Sequence, residues 1–366
     1  MDFSDFSTEK LLKHKKQILA DIAKYKNFQL AKKVALNSCY GACGNEYFRL
    51  YDTRLAEAIT LSGQFAILWL EKRINQYINK LLKTSDIDYV VAIDTDGIYI
   101  TLETVIEKLF PTENDKIKII NFIDKFCNTK LQTVIDSACS EIAQYTNAYQ
   151  NKIVMKRESI ADKGIWTAKK RYILNVYDNE GVRYAEPHLK IMGNEAIRSS
   201  TPEVCRKMIK KVFELMMRES EKTTQDYISV CEEEFKKLLP EEIAFPRSVN
   251  GLSTYSDRTS IYKKATPIHV RGCLLYNKRL TELNLDKKYP KIKEGEKIRF
   301  VYLKEPNTIR ENVISFVDKL PEEFGLSSYI DYDKQFEKAF LDPLNIIFKC
   351  INWSVKKTNT LSRFFV

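Results

Sequence analysis

The sequence predicts an α+β fold, in which long helices are combined with antiparallel hairpins. Over long segments, apolar residues recur at three- and four-residue steps, as they do on one face of a helix. Elsewhere, runs rich in β-branched and aromatic residues flank short polar turns, as they do in hairpins. With 366 residues, the chain is long enough for two or three domains and a sizeable core.

The helical segments come first along the chain. One helix is predicted from Glu9 to about Gly41 and a second from Thr53 to Leu82, and helical spacing returns over residues 115–149. The second helix carries an apolar stripe that includes Ile59, Leu68, Ile74, Ile78 and Leu81.

Strands and further helices are predicted in the rest of the chain. Residues 88–102 and 152–190 have strand composition, and a turn is expected at 178–181 in the second of these segments. A helix is predicted to begin at Ser200-Thr201-Pro202-Glu203, with Ser or Thr as its cap. The last of these predicted helices spans Thr224 to Leu239.

The charge balance favours a polyanionic partner. Fifty-nine Lys and Arg residues against 49 Asp and Glu residues give a formal charge of +10. Nucleic acid is the favoured partner, and an acidic membrane surface is the competing interpretation. No stretch approaches the ~18 consecutive apolar residues that a membrane span needs, and the start lacks the order of a signal peptide. We therefore expect a cytoplasmic protein (host cytoplasm if the chain is viral) and no membrane partner.

The eight cysteines follow no framework spacing. Cys39 and Cys43 are four residues apart, but no second Cys or His pair lies nearby to complete a zinc site. Reduced thiols packed in a cytosolic protein are the expectation.

Asp94 and Asp96 lie at the predicted turn of the first hairpin. Because they are two residues apart at a strand end, their side chains are expected on the same side of the sheet. Converging carboxylates suit Mg²⁺, which prefers oxygen ligands, and two such ions support phosphoryl transfer. The competing interpretation is a solvated turn, and the apolar strand before Asp94 favours the rigid metal site.

Lys33, Asn37 and Tyr40 share one face of the first helix, because they stand at positions i, i+4 and i+7. A cation, an amide and a flat ring suit the phosphates, sugar and base of a nucleotide. The alternative is a solvated lysine and a half-buried tyrosine on an amphipathic helix.

A basic and aromatic run, Lys169-Lys170-Arg171-Tyr172, is predicted to enter a strand. Strand residues alternate faces, so Lys170 and Tyr172 are expected on one face and Lys169 and Arg171 on the other. One face would then meet a DNA duplex, whereas the alternative is a solvated charge run.

The tail carries Leu361, Phe364 and Phe365 at helical spacing. Such a compact apolar plug is expected to dock, either on this protein or in a partner's groove.

Several of these patterns together resemble one family. Residues 33–41, Lys-Val-Ala-Leu-Asn-Ser-Cys-Tyr-Gly, resemble the fingers motif K-x-x-x-N-S-x-Y-G, and Asp94–Gly97 resembles the palm motif D-T-D-S. The chain is similar to the carboxy-terminal half of family B DNA polymerases, most closely those of tailed bacteriophages. Further counterparts follow in order at residues 54–79, 155–161, 169–172, 184–193, 269–272 and 332–344.

The resemblance implies a DNA-directed DNA polymerase, a nucleotidyltransferase acting on primer–template DNA and deoxynucleoside triphosphates with two Mg²⁺ ions. By the same mapping, residues 1–44 are part of the helical fingers, 45–195 a palm built on an antiparallel sheet, and 196–366 a mainly helical thumb. The roles implied are catalysis and metal binding for Asp94 and Asp96, nucleotide binding for Lys33, Asn37 and Tyr40, DNA binding for Lys169, Lys170, Arg171 and Tyr172, an accessory acid for Glu158, and sliding-clamp binding for Leu361, Phe364 and Phe365.

The chain also departs from the family pattern. Gly97 stands where the family usually has Ser, Ile93 replaces a small or aromatic residue, and Lys156 replaces a common acid. A third family motif, D-x-x-S-L-Y-P-S, supplies another metal-binding Asp and is absent from the 32 residues before Lys33. We therefore expect the chain to be inactive, or nearly so, without an amino-terminal polymerase chain. The alternatives are a noncatalytic remnant that binds primer–template or the clamp, and a truncated piece of a longer polymerase.

Overall fold

The computed structural model describes residues 7–112, 115–257 and 259–357. They form two compact units, which divide between Arg157 and Glu158. Each unit combines helices with small antiparallel sheets, which confirms the predicted α+β class. The division into fingers, palm and thumb at 44/45 and 195/196 stays a prediction, because packing alone does not identify those domains.

The amino-terminal unit is mainly helical and contains one hairpin. A π-helical turn, Cys127–Leu131, joins its last two helices, which interrupts the helix predicted over 115–149. In chain order, its elements are α1 (Thr8–Cys43), α2 (Thr53–Leu82), β1 (Val90–Asp94), β2 (Gly97–Ile100), α3 (Glu103–Leu109), α4 (Lys116–Phe126) and α5 (Gln132–Tyr145).

Helix α1 agrees with the predicted first helix and buries none of its side chains. The Ser7 hydroxyl accepts a hydrogen bond from the backbone N–H of Lys10, so one of the free amides at the helix start is satisfied. Apolar side chains lie on all sides of the helix and are exposed, among them Leu12 and Leu36. The length of α1 therefore follows from local propensity and capping, without a buried face.

Helix α2 has the predicted bounds, with Asp52 as its cap. It ends where Lys83 adopts the left-handed conformation, with a φ of 56°. Its buried face comprises Ile67, Leu70, Ile74, Ile78 and Leu82, and this face packs with α5 and the hairpin to form the core of the unit.

The predicted apolar stripe of α2 is only partly correct. Ile74 and Ile78 are buried as expected, whereas Ile59, Leu68 and Leu81 are exposed. The buried positions step by three or four residues along a slightly rotated face, which the apolar pattern alone did not distinguish.

The carboxy-terminal unit contains two three-stranded antiparallel sheets, in the orders β3-β4-β5 and β10-β9-β6. The predicted turn at 178–181 joins β4 to β5, and the hairpin expected there is confirmed. The elements are β3 (Ser159–Ala168), β4 (Arg171–Asn179), β5 (Val182–Met192), α6 (Glu203–Arg218), α7 (Glu221–Phe235), α8 (Pro240–Ile243), β6 (Phe245–Ser248), α9 (Leu252–Tyr255), β7 (Ser256–Asp257), β8 (Ile261–Tyr262), α10 (Ile268–Glu282), β9 (Lys297–Tyr302), β10 (Val313–Phe316), α11 (Tyr332–Phe336) and α12 (Asp342–Cys350).

A large aromatic and aliphatic core holds this unit together. It gathers the buried faces of α6, α7, α10 and α12 around the sheet that contains β9 and β10. Its largest fully buried side chains include Phe213, Phe235, Tyr276, Phe316 and Phe340.

Two helix starts differ from the prediction. Helix α6 begins at Glu203 with Pro202 in the cap position, so neither Ser200 nor Thr201 caps it through a side chain. Helix α7 begins at Glu221, three residues before the predicted Thr224, because the Ser220 hydroxyl accepts from the Thr223 N–H. The first turn of α7 is polar, so the spacing of apolar residues did not reveal where the helix begins.

Within the described ranges, no helix combines the length and apolarity that crossing a bilayer requires. All eight cysteines are free thiols, and Cys139, Cys205, Cys231 and Cys273 are buried. Burial raises the pKa of the Cys205 and Cys273 thiols to about 12.

These thiols should differ in reactivity. A raised pKa keeps the buried thiols neutral at neutral pH, and the thiolate is the nucleophile. Iodoacetamide applied to the native protein should therefore modify Cys39 and Cys350, which are exposed, well before Cys205 and Cys273. Peptide mapping by mass spectrometry over a time course measures this order. Early modification of Cys205 would contradict the packing described here.

The contact of α10 with β10 should be sensitive to a single methyl group. A Cβ added at Gly272 would lie 2.4 Å from Ser315 Oγ and 2.8 Å from the Ser315 backbone N. Gly272→Ala should therefore lower the free energy of unfolding by roughly 1–3 kcal/mol in urea denaturation. Gly63→Ala is the matched control, because a Cβ there meets no atom within 4 Å, and it should raise the stability by up to about 1 kcal/mol. Equal stability of Gly272→Ala and the parent would show that Ser315 moves aside freely.

Candidate active site

The predicted carboxylate hairpin is present, and its turn is tight. Asp94 pairs with Gly97 across the two strands, so Thr95 and Asp96 are the only residues of the loop. The Asp96 N–H donates to the Asp94 carbonyl at 2.7 Å. Thr95 has a φ of 58°, and a hydrogen bond between residues two apart around a positive central φ is that of the rare, strained γ-turn.

Thr95 is an unusual residue for this position. A residue at positive φ is normally Gly, because a β-branched side chain is strained there. The Thr95 hydroxyl donates to Asp94 Oδ1 at 3.1 Å, which links the strained residue to the carboxylate. Backbone strain of this kind is concentrated at functional sites.

The pairing register places Asp94 on the outer face of the hairpin. Ile98 packs against the core and lies opposite Ile93, so this pair faces inward. Neighbouring positions alternate, which turns Asp94 and Gly97 to the other face. Gly97 has no side chain, so the residue that pairs with Asp94 does not cover its carboxylate.

Asp94 and Asp96 were expected on the same side of the sheet, because side chains two residues apart in a strand share a face. Asp96 lies in the turn and not in a strand, so this argument does not apply to it. Asp94 ends a strand and is partly exposed, whereas Asp96 belongs to the turn and is exposed. The two carboxylates nevertheless lie close along the chain, because the paired strands leave only a two-residue loop between Asp94 and Gly97. As hard oxygen donors, the carboxylates fit a divalent cation such as Mg²⁺.

Two carboxylates leave most of the coordination sphere of such a cation unfilled. Within residues 7–112, 115–257 and 259–357, no cluster of three or more His, Cys, Asp or Glu side chains is arranged to hold a metal ion. Additional oxygen ligands would therefore have to come from backbone carbonyls, substrate, water or another polypeptide segment.

Lys33, Asn37 and Tyr40 lie along α1 as predicted, and all three are exposed. Their helix belongs to the same unit as the hairpin, and α2 packs against both α1 and the two strands. The stripe ends at Gly44, whose N–H donates to the Gly41 carbonyl. The three side chains are thus exposed and available to a ligand. They lie on a different element from Asp94 and Asp96, which belong to the hairpin.

The basic run is arranged differently from the prediction. Lys169 and Lys170 form the turn between β3 and β4, and Lys170 has a φ of 60°, so strand alternation does not apply to them. Both lysines are exposed, whereas Tyr172 is only 5% exposed and packs beside Trp166. Of the four residues, only the two lysines are exposed to solvent.

Residues that the sequence analysis missed support this turn. Arg171 Nη2 donates to both Glu195 oxygens, at 2.9 and 2.7 Å. Asn194 Nδ2 donates to the Tyr172 carbonyl. Gly193 has a φ of 65°, and a Cβ there would lie 2.1 Å from the Lys170 carbonyl oxygen, so only glycine fits. The sequence feature that could have indicated these contacts is the run Gly-Asn-Glu, which directly follows a strand.

Glu158, predicted as an accessory acid, is exposed at the start of β3. Its Oε1 lies 2.6 Å from Lys190 Nζ on β5. The predicted tail residues Leu361, Phe364 and Phe365 lie outside the described residues.

Gly97 in the carboxylate hairpin and Gly193 beside the basic turn should respond differently to substitution. A Cβ at Gly97 would meet only the Asp94 carbonyl, at an ordinary 3.7 Å, so Gly97→Ser should keep the parent's thermal unfolding midpoint or raise it slightly. Gly193→Ala should lower stability by more than about 1 kcal/mol, because it combines a clash with an unfavourable φ. Differential scanning calorimetry measures both, and a strongly destabilised Gly97→Ser would refute the described turn.

Comparison with known proteins agrees with these features. A family model described as DNA polymerase family B matches residues 7–351. The DNA-directed DNA polymerases of Enterobacteria phage T4 and Escherichia phage RB69 are each 37% identical to the chain, over 332 and 331 residues. Both alignments cover 86% of this chain and 36% of the relative.

A more distant relative is DNA polymerase 1 of Saccharolobus solfataricus, which is 25% identical over 260 residues, covering 68% of this chain and 23% of that protein. The aligned region thus spans 36% of the phage relatives' length and 23% of the Saccharolobus relative's length. The family match covers nearly the whole chain and includes the carboxylate hairpin, the α1 stripe and the braced basic turn. The chain therefore belongs to family B of the DNA polymerases.

Proposed function

We propose that this chain contributes to template-directed DNA synthesis, in which a primer 3′ hydroxyl attacks the α-phosphorus of a deoxynucleoside triphosphate and pyrophosphate leaves. The observation that carries the proposal is the hairpin of Asp94, Thr95, Asp96 and Gly97, with one carboxylate on its outer face and another in a strained turn. Family membership adds the reaction class.

Asp94 and Asp96 would hold Mg²⁺ in this proposal. Two such ions, when bound, would activate the primer hydroxyl and neutralise charge on the departing pyrophosphate. The strained, two-residue turn limits the motion of both carboxylates, which favours a preorganised site. Gly97 places no side chain opposite Asp94, where a substrate or an ion would bind.

The remaining residues would bind the substrates. Lys33 offers a cation for the triphosphate, Asn37 would support that site, and Tyr40 offers a ring for the nascent base pair. Lys169 and Lys170 project from a braced turn toward solvent and would contact the phosphates of primer–template DNA. In the same proposal, Glu158 is an accessory acid, Arg171 and Tyr172 support the DNA-binding turn, and Leu361, Phe364 and Phe365 bind a sliding clamp.

We further propose that the metal site is completed by a carboxylate from an amino-terminal polymerase chain. Two side chains of the hairpin supply too few ligands for two ions, and the described part of the chain offers no larger acidic cluster. The chain by itself would then bind DNA and carry out little or no synthesis.

Primer extension with Mg²⁺ tests both parts of the proposal. The chain should be inactive by itself and active when mixed with a polypeptide that carries the D-x-x-S-L-Y-P-S motif. In the mixture, Asp96→Asn should lower kcat by at least about a hundredfold, because it removes a metal ligand. Glu107→Gln, which neutralises an exposed acid on α3, is the matched control and should leave the rate unchanged.

The outcomes separate the alternatives. Processive synthesis by the chain alone would refute the shared metal site. An inactive mixture that still binds primer–template in a fluorescence anisotropy assay would instead support a noncatalytic DNA-binding protein. An active mixture that tolerates Asp96→Asn would refute the assignment of the hairpin.

A further inference from the structure

Two asparagines on α2 bind the segment that leads into the carboxylate strand. This segment, residues 84–89, is called the approach segment here, and it has no regular secondary structure. Asn75 and Asn79 lie one helical turn apart, directly beside the buried Ile74 and Ile78. They therefore stand at the border between the core-facing side of α2 and its solvent-facing side.

Asn79 uses every hydrogen-bonding position of its side-chain amide. Its Nδ2 donates to the Asn75 carbonyl at 2.9 Å and to the Ile87 carbonyl at 2.7 Å. Its Oδ1 accepts from the Ile87 N–H at 3.2 Å and from the Thr84 hydroxyl at 2.9 Å. A primary amide has two donor and two acceptor positions, so Asn79 is fully satisfied.

The pair of bonds to Ile87 resembles strand pairing. In an antiparallel ladder, a residue exchanges an N–H···O and an O···H–N bond with one partner residue. Asn79 makes the same exchange with its side chain, so that α2 replaces a neighbouring strand for Ile87.

Asn75 continues this arrangement along the approach segment. Its Oδ1 accepts from the Tyr89 N–H at 2.8 Å, and its Nδ2 donates to Asp88 Oδ1 at 2.8 Å. Asp88 Oδ1 in turn accepts from the Val90 N–H at 2.9 Å, where β1 begins. The backbone N–H groups of residues 87, 89 and 90 are thus satisfied directly or indirectly from α2.

The contacts of Asn75 and Asn79 with the approach segment, called the anchor here, lie against the core of the unit. Tyr89 is 3% exposed and belongs to the same buried cluster as Ile74 and Ile78, and its hydroxyl lies 3.0 Å from Thr84 Oγ1. A two-stranded hairpin is marginally stable by itself, so its position depends on what holds its ends. Here the amino-terminal end of β1 is held by packing and by the two amides.

We propose that Asn75 and Asn79 are positioning residues of the candidate active site, which hold the approach segment on α2 and thereby set the position of Asp94 at the other end of β1. This inference rests on the proposed function, because it assigns the anchored strand to a metal site. Neither asparagine is expected to touch the substrate or the metal.

The test compares three single alanine variants of the full chain. Asn79→Ala removes four hydrogen bonds, and Asn75→Ala removes the bonds to Asp88 and Tyr89, which makes it the milder variant. Gln76→Ala is the matched control, since it deletes an amide from the same helix. Among the described residues, the oxygen of that amide accepts only from Arg73 Nη1, which also lies on α2. Unchanged hydrogen exchange in α5 shows that each variant has kept its fold.

Two measurements then decide the proposal. Hydrogen exchange of peptides covering residues 84–94 should be about tenfold faster or more in Asn79→Ala, and faster to a smaller degree in Asn75→Ala. Mn²⁺ binding to the chain, followed by the electron paramagnetic resonance signal of the free ion, should weaken several-fold in the same variants and be lost in Asp96→Asn. Gln76→Ala should match the parent in both measurements.

Each outcome has a definite meaning. Unchanged exchange in Asn79→Ala would overturn the anchor, and faster exchange with unchanged Mn²⁺ affinity would overturn its positioning role. A parent chain whose Mn²⁺ binding is absent or insensitive to Asp96→Asn would also overturn the proposal. If both measurements change as expected but the mixture with the amino-terminal polypeptide does not extend a primer, the proposed function fails while the positioning role stands.

Discussion

The buried face of α2 is the constraint on which the amino-terminal unit depends. Leu70, Ile74 and Ile78 form a core with residues of α5, against which Ile98 and Ile100 of the hairpin pack. A pair of short strands cannot stabilise itself in water. The position of the carboxylates therefore follows from the helix that the strands pack on, and the polar border of that helix adds directional hydrogen bonds to the nondirectional packing.

The hairpin combines rigidity with open space. Thr95 adopts a backbone conformation that is costly for a β-branched residue, and its hydroxyl contacts Asp94. Gly97 leaves the position opposite Asp94 without a side chain. A strained turn persists only when the surrounding structure holds it in place. Here the packing of both strands on α2 holds the turn.

A comparable division of roles occurs in the basic turn of the carboxy-terminal unit. Glu195 neutralises Arg171, and burial removes Tyr172 from solvent, so the two lysines of the turn carry its outward charge. Gly193 allows the backbone to approach the Lys170 carbonyl closely. The arrangement presents cations on a braced loop. It would suit the phosphate contact proposed for this turn, because an unbraced lysine loses more conformational entropy on binding.

Local pattern by itself determined much of this protein. Helices α1 and α2 and the Asp94–Gly97 hairpin follow from apolar periodicity, capping residues and a polar turn, all of which act over a few residues. Tertiary structure decided which side of α2 is buried, that Lys169 and Lys170 form a turn, and that Tyr172 is enclosed. It also decided the supporting contacts of Asn75, Asn79, Gly193 and Glu195, whose partners outside α2 lie 5 to 24 residues away along the chain. The physical reason is that a cap or a periodic face is written in neighbouring residues, whereas burial and side-chain-to-backbone bonds depend on which segments meet after folding.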